Sequence, residues 1–311
     1  MENNREESYA ICNSILFTIE NGKSAQYIHS KYNMGVISGR NIILKPFELL
    51  FLYYRNRLKP VNPFYNDSLT LVNTLFEEND LYMWRVYLDL KNEGSKISIE
   101  NEYLTISKKN EKLSVKRIIY PIREKSRVDE SWLISISGQN IASVDDDGDI
   151  TYYTIDMVNL EGNNRPELPS VTPTKIGNRG IQTKDMKPDW MGDHLEDIVI
   201  LSEGEMNYIN GLENSDPVSR VYKELISNGL IVKTGFKYGC NFRAYRGSMD
   251  DHSDFLIHVL EREVEWYEIS RAVRLAASVR KEMIFATIHE EKSYFIRIKR
   301  IKNILEMNLR D

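Results

Sequence analysis

Hydrophobic and polar positions recur along this chain with two periods, and each period predicts a kind of element. Phe255, Ile257 and Val259 fall on every second position, which predicts a strand. Val221, Leu225 and Ile226 recur near helical spacing, and Asn228-Gly229 supplies the stop signal that ends a helix. Residues 269–278 read as a second helix and residues 283–288 as a strand. Further upstream, residues 41–50 read as a short strand running into a helix. Pro46 falls in the first turn, where Pro is tolerated, and Glu48 suits the positive helix N-terminus. Residues 197–206 have the same layout, with Ser202 as N-cap and Glu205 three positions later as a capping box.

These two stretches are copies in register. Leu44 to Leu201 and Glu48 to Glu205 are each separated by 157 residues. A second pair of echoes follows. Residues 141–144 and 152–155 flank an acidic turn, and residues 285–288 and 294–296 flank another polar turn, at offsets of 144 and 142. Both read as β-hairpins with β-branched and aromatic strands. Two echoes in the same order at similar offsets predict a tandem duplication. Residues 161–179, rich in Pro, Asn, Gly and Thr, read as the connection between the copies.

Length and composition agree with this. A chain of 311 residues has room for two domains, or three small ones, and for a core without disulfide or metal staples. The two cysteines, Cys12 and Cys240, are too few for a disulfide framework, and there is no CxxC pair. The N-terminus shows no signal-peptide pattern and no run approaches 18 apolar residues, so a cytoplasmic protein is expected. The net charge of −5 argues, taken over the whole chain, against a nucleic-acid binder, unless opposite halves cancel. Phosphate loops, dinucleotide fingerprints and HExxH are absent. The run Asp145-Asp146-Asp147-Gly148-Asp149 departs from a calcium loop, which needs Gly where Ile150 stands and Glu where Asp156 stands. Asn66-Asp67-Ser68 fits a glycosylation sequon by chance composition.

Four pieces in the last 90 residues carry specific chemistry. The first is the helix ending in Asn228-Gly229. The second is Gly235-Phe236-Lys237-Tyr238-Gly239-Cys240-Asn241-Phe242-Arg243-Ala244-Tyr245. The third is His252-Ser253-Asp254-Phe255-Leu256, and the fourth runs from Arg274 through Ser278-Val279-Arg280-Lys281. In this order they resemble the catalytic domain of archaeal tRNA-splicing endonucleases. The length and the duplication resemble the subclass with two fused repeats per chain, which works as a homodimer.

The resemblance implies an α/β (α+β) fold used twice. Each repeat would be a small N-terminal α/β subdomain plus a nuclease-type domain with a mixed β-sheet flanked by helices. The expected layout is an N-terminal subdomain at 1–60, a non-catalytic endonuclease-like domain at 61–160, a linker at 161–180, a second N-terminal subdomain at 181–215 and the catalytic domain at 216–311.

By position, the resemblance implies Tyr245, His252 and Lys281 as the catalytic three, with no cofactor and no metal. The residue types suit RNA cleavage by its own 2′-hydroxyl. That reaction needs a base for the hydroxyl proton, an acid for the departing 5′-oxygen and a cation for the charge on the phosphorane. His suits the acid because it titrates near neutrality. Lys holds charge at the phosphate. Tyr, with a pKa of about 10, acts as a base only where cations stabilise its phenolate. Taken alone, a Tyr at a strand end packs, and a Lys at a turn is solvated. His258 competes with His252 but lies within the strand, in phase with Leu256, and reads as structural. Only six residues separate Tyr245 from His252, fewer than is common in the resembled family.

The first half lacks this chemistry. No His occurs between residues 30 and 193, and Lys281 maps to Ser137 at the 144 offset. Residues 128–159 hold seven acids and no Lys or Arg, a net of −7, whereas residues 271–302 hold nine bases against three acids, a net of +6. The acidic run is either a solvated turn or, as the resemblance implies, a docking loop (Asp145, Asp146, Asp147, Asp149) that enters a basic cleft of the opposite subunit. The homodimer would form through this loop and the C-terminal strands. The basic window suits phosphate contact, Arg280 included. Arg274 matches the family position that clamps a flipped bulge base, and Arg297 is a second jaw, with structural salt bridging as the competing role for both. The substrate implied is precursor tRNA carrying a bulge-helix-bulge. A non-catalytic structural subunit and an RNA-binding module are the alternatives.

Overall fold

The computed structural model describes residues 6–11, 14–20, 22–55, 68–107, 116–164, 172–185, 188–211, 216–250, 252–302 and 304. The chain divides into two compact units that do not follow the sequence halves. The first comprises residues 1–124, 139–152 and 302–311, and the second residues 125–138 and 153–301.

The first unit opens with β1 (Glu6–Ile11), β2 (Ser14–Glu20), α1 (Gly22–Tyr32), β3 (Val36–Ser38), β4 (Asn41–Leu44) and α2 (Pro46–Tyr54). Its small antiparallel sheet has the order β1-β2-β4-β3. In β4 the strand period buries Ile42 and Leu44 completely and leaves Asn41 and Ile43 partly exposed. Pro46 starts α2, and the Glu48 carboxylate turns back to accept the N–H groups of Lys45 at 2.9 Å and Gly35 at 2.8 Å. Gly35 is needed there: its φ is +67°, and a Cβ would stand 2.6 Å from the Ile42 side chain.

The chain continues through α3 (Ser68–Leu75), α4 (Glu78–Asn92), β5 (Lys96–Ile99), β6 (Leu104–Ser107) and β7 (Arg117–Arg123). It then passes through β8 (Arg127–Val128) and α5 (Glu130–Ser135), which belong to the second unit. It returns with β9 (Asn140–Val144) and the first three residues of β10 (Ile150–Met157). β5, β6 and β7 pair antiparallel, and β7 pairs parallel with β9. α4 buries Val86, Tyr87 and Leu90, with the Tyr87 ring edge-on to Phe47 and Phe51.

The second unit contains β11 (Thr174–Ile176), β12 (Arg179–Thr183), β13 (Asp193–Leu195), β14 (Ile198–Leu201) and α6 (Glu203–Ile209). The order β11-β12-β14-β13 repeats that of the first small sheet. The expected linker is therefore not all linker. Its Gly and Asn residues serve a two-residue hairpin turn, Gly177-Asn178, between β11 and β12. Its first residues are tied down as well: Gly162, Asn163 and Asn164 donate backbone N–H groups to the carbonyls of Asn228, Arg246 and Gly229. Residues 165–171 lie outside the described residues. The capping box at Ser202 and Glu205 is present. Glu205 also accepts the N–H of Gly192 at 2.7 Å, the contact that Glu48 makes to Gly35 157 residues earlier.

Next come α7 (Pro217–Ser227), β15 (Ile231–Thr234), a 3-10 turn (Phe236–Tyr238), β16 (Phe242–Tyr245), β17 (Phe255–Val259), β18 (Val264–Glu265), α8 (Trp266–Ser278), β19 (Glu282–His289) and β20 (Lys292–Ile301). The strand order is β15-β16-β17-β19-β20, continued by residues 153–157 of β10. β17 and β19 are parallel, whereas β15–β16, β16–β17 and β19–β20 are antiparallel, so α8 is the crossover a parallel pair requires. α7 buries Val221, Tyr222, Leu225 and Ile226 on strand residues Phe255, Ile257, Ile284 and Ala286. Each such aliphatic or aromatic side chain contributes about 1.5–3 kcal/mol of burial. α8 starts three residues before the expected 269, because Trp266 is wholly buried and edge-on to Tyr153.

Candidate active site

Strand register brings the three predicted residues to one edge of the second unit's larger sheet. Ala244 of β16 faces Phe255 of β17, and Phe255 faces Glu282 of β19. Adjacent strands lie about 4.8 Å apart. Tyr245, His252 and Lys281 each fall within three residues of that row.

One residue ties the edge together. The Asp254 N–H donates to the Ala244 carbonyl at 3.0 Å, its carbonyl accepts from the Glu282 N–H at 3.1 Å, and its carboxylate accepts from the Arg246 N–H at 2.9 Å. Asp254 thus bonds to the residues on either side of Tyr245 and to the residue after Lys281, and it lies two residues from His252. It occupies the variable position of the His-Ser-x-Phe-Leu piece, so the motif did not mark it; an Asp directly before a strand is the only local signal. Asn164 supports the same edge, donating its side-chain amide to the carbonyls of Gly229 and Gly247 at 3.2 and 3.1 Å.

Tyr245 ends β16 and is buried, with the Arg243 guanidinium 5.9 Å from its ring centroid. His252 is exposed, directly before buried Ser253. Lys281 follows α8, and its ammonium donates to the Ser253 carbonyl at 2.7 Å, one residue from His252. That ammonium lies 5.9 Å from the Tyr238 ring centroid. The turn that aims Lys281 is a Schellman cap: the N–H groups of Arg280 and Lys281 bond to the carbonyls of Ala277 and Ala276. Arg280 takes the left-handed position there, φ +56°, where Gly is usual. The Arg246 guanidinium lies over the Phe255 ring at 4.8 Å, adding a fixed cation to this edge.

The remaining predicted residues have distinct settings. Arg274 is exposed on α8 and donates to Ser270 Oγ at 3.2 Å. Arg297 is half-buried in β20 and paired with Asp156 at 3.4 Å and Glu282 at 3.7 Å, the structural salt bridging named above as its competing role. His258 is half-buried in β17 and edge-on to Phe285, and burial lowers its pKa. Asp145, Asp146, Asp147 and Asp149 form a turn of the first unit. The Asp145 carboxylate accepts the N–H groups of Asp147 and Asp149, so the turn is held by its own bonds. No helix among the described residues is long and apolar enough to cross a membrane.

An α/β domain whose mixed sheet carries a Tyr, a His and a Lys near the ends of three neighbouring strands is the class this fold defines. A family profile described as tRNA intron endonuclease, catalytic C-terminal domain, matches residues 218–297. A tRNA-splicing endonuclease of Thermoplasma volcanium is 35% identical over 298 residues, covering 96% of this chain and 99% of that protein. One of Picrophilus torridus is 30% identical over 298 residues, covering 95% and 98%. One of Methanosarcina mazei is 25% identical over 241 residues, covering 64% and 66%. The chain belongs to the tRNA-splicing endonuclease family and is an enzyme of tRNA intron cleavage.

Proposed function

We propose that this chain cuts precursor tRNA at both intron–exon junctions, within a bulge-helix-bulge, by attack of the neighbouring 2′-hydroxyl on the scissile phosphate. The products carry 2′,3′-cyclic phosphate and 5′-hydroxyl ends. The observation that supports this reading is the set of Asp254 bonds, which tie together the backbone segments that carry Tyr245, His252 and Lys281, with the Lys281 ammonium on the carbonyl next to His252. Lys281 holds the charge that develops on the phosphorane. His252, exposed to substrate, protonates the leaving 5′-oxygen. Tyr245, with the Arg243 guanidinium beside its ring, takes the 2′-hydroxyl proton. Arg274 and Arg280 meet RNA, and Arg297 joins them when a substrate phosphate or base competes with its carboxylate partners.

The chain is one unit used twice. The shared order of the two small sheets and the matching Glu48 and Glu205 contacts support this. No His lies between residues 30 and 193, and Lys281 maps to Ser137 at the 144 offset, so the first copy is non-catalytic. Two chains form a cytoplasmic homodimer, through the acidic loop at 145–149 and the C-terminal strands, that offers one site to each bulge.

Incubation with a bulge-helix-bulge RNA in excess EDTA tests this reading. Two cuts and cyclic-phosphate ends are expected, and His252→Ala abolishes cutting while RNA binding persists. Absence of cutting by the unmodified protein rejects the enzyme reading, and cutting lost only with EDTA rejects the metal-free route.

A further inference from the structure

A cavity of about 270 Å³ lies against α8 in the second unit, lined by Tyr238, His258, Tyr267, Glu268, Arg271 and Leu275 among others. It adjoins the catalytic edge, because the ring of Tyr238 is the one beside the Lys281 ammonium. The space is smaller than the roughly 300–1,000 Å³ of sites for drug-sized ligands, and its size suits one planar ring system. Two of the lining residues, Tyr238 and Tyr267, are aromatic. Tyr267 and Leu275 remain 44% and 41% exposed, large apolar surface left at the rim of a helix whose other face is buried.

The polar groups form an ordered array. Glu268 and Arg271 are three residues apart on α8 and so share a face. Neither is held in an ion pair among the described residues, although Glu268 acts electrostatically on His258. His258 forms no hydrogen bond among the described residues and meets only the edge of Phe285. The cavity therefore offers a carboxylate that accepts two hydrogen bonds, a guanidinium that donates two, and aromatic faces.

We propose that this cavity holds an unstacked guanine of the RNA substrate, a reading that rests on the RNA-cleaving function proposed above. Guanine presents N1–H and N2–H donors to the Glu268 carboxylate and, next to them, O6 and N7 acceptors to Arg271, the pairing an Arg makes with this base. Stacking on Tyr267 and Tyr238 holds the ring. Adenine lacks the paired N1–H and N2–H donors, and the pyrimidines lack N7.

The test uses bulge-helix-bulge RNAs in which each bulge nucleotide is changed in turn among guanine, inosine and adenine. Inosine removes only the N2 amine. For the unmodified protein, kcat/KM is expected to fall about tenfold from guanine to inosine at one bulge position, the worth of one hydrogen bond to a charged group. Glu268→Gln is expected to lose that preference, and Tyr267→Ala to weaken binding of all these RNAs. Equal kcat/KM for guanine and inosine at every position overturns the proposal, as does a preference that survives Glu268→Gln. Binding of the same RNAs with 2′-deoxy cut sites, read by fluorescence anisotropy, gives the guanine-to-inosine ratio without cleavage. Binding preference without any cutting would sink the function reading and keep the guanine site. If a second copy of the chain fills the cavity instead, Tyr267→Ala shifts sedimentation and no guanine preference exists, which also overturns the proposal.

Discussion

Asp254 shows how much one residue decides at this site. It touches no group assigned to the chemistry, yet its three hydrogen bonds set the spacing of the segments that carry Tyr245, His252 and Lys281. Under the proposed mechanism it is a positioning residue. Asp254→Ala removes the carboxylate bond to the Arg246 N–H, worth about 1–3 kcal/mol when the donor is left unpaired. The expected result is a large drop in kcat with KM little changed, and partial recovery in Asp254→Asn, whose side-chain oxygen still accepts. Single-turnover cleavage by the three proteins checks it; a purely structural role would lower the melting temperature and leave kcat per folded molecule intact. Lys281 shows the same dependence, because its ammonium is aimed by a helix cap in which Arg280 replaces the usual Gly.

The elements owe their ends to local chemistry and their stability to burial. α4 carries the clearest case. Lys91, in its last turn, is buried, and its ammonium donates to the carbonyls of Asn33 and Ser95 at 3.0 and 3.3 Å. Burial lowers its pKa from 10.5 to about 8, with Glu48 opposing the shift. Between those values the unfolded chain binds more protons than the folded one, so this group makes stability rise as pH increases from about 8 to 10.5. Lys91→Met removes that slope. Urea unfolding of both proteins at pH 7.5 and pH 10 should show the native Lys gaining on Met at the higher pH; an unchanged difference would refute the linkage.

At the scale of the whole chain, a net charge of −5 conceals a window at −7 (residues 128–159) and a window at +6 (residues 271–302). The acidic turn bonds to itself through Asp145, whose carboxylate accepts the N–H groups of Asp147 and Asp149. Under the proposed assembly, replacing Asp145, Asp146, Asp147 and Asp149 together by Ser leaves a folded monomer, since complementary charge is lost without loss of core. Sedimentation velocity at moderate salt decides this, and a dimer of unchanged stability counts against the docking role.

Much of this protein was legible in its sequence because it depends on short-range chemistry. Strand and helix periods located β17, α7 and α8, Ser202 and Glu205 announced a capping box, and Asn228-Gly229 marked a helix end. The motif pieces singled out the segments that carry Tyr245, His252 and Lys281, and the 157-residue offset relates the Glu48 and Glu205 contacts. Other features depend on pairing over long separations, which no local window contains. The Arg297 partner Asp156 is 141 residues away, and the ties from Asn164 to Gly229 and Gly247 span 65 and 83 residues. Residues 125–138 join the second unit although they lie in the first half. Such contacts follow from sheet register and collective packing of the core, which only the folded chain determines.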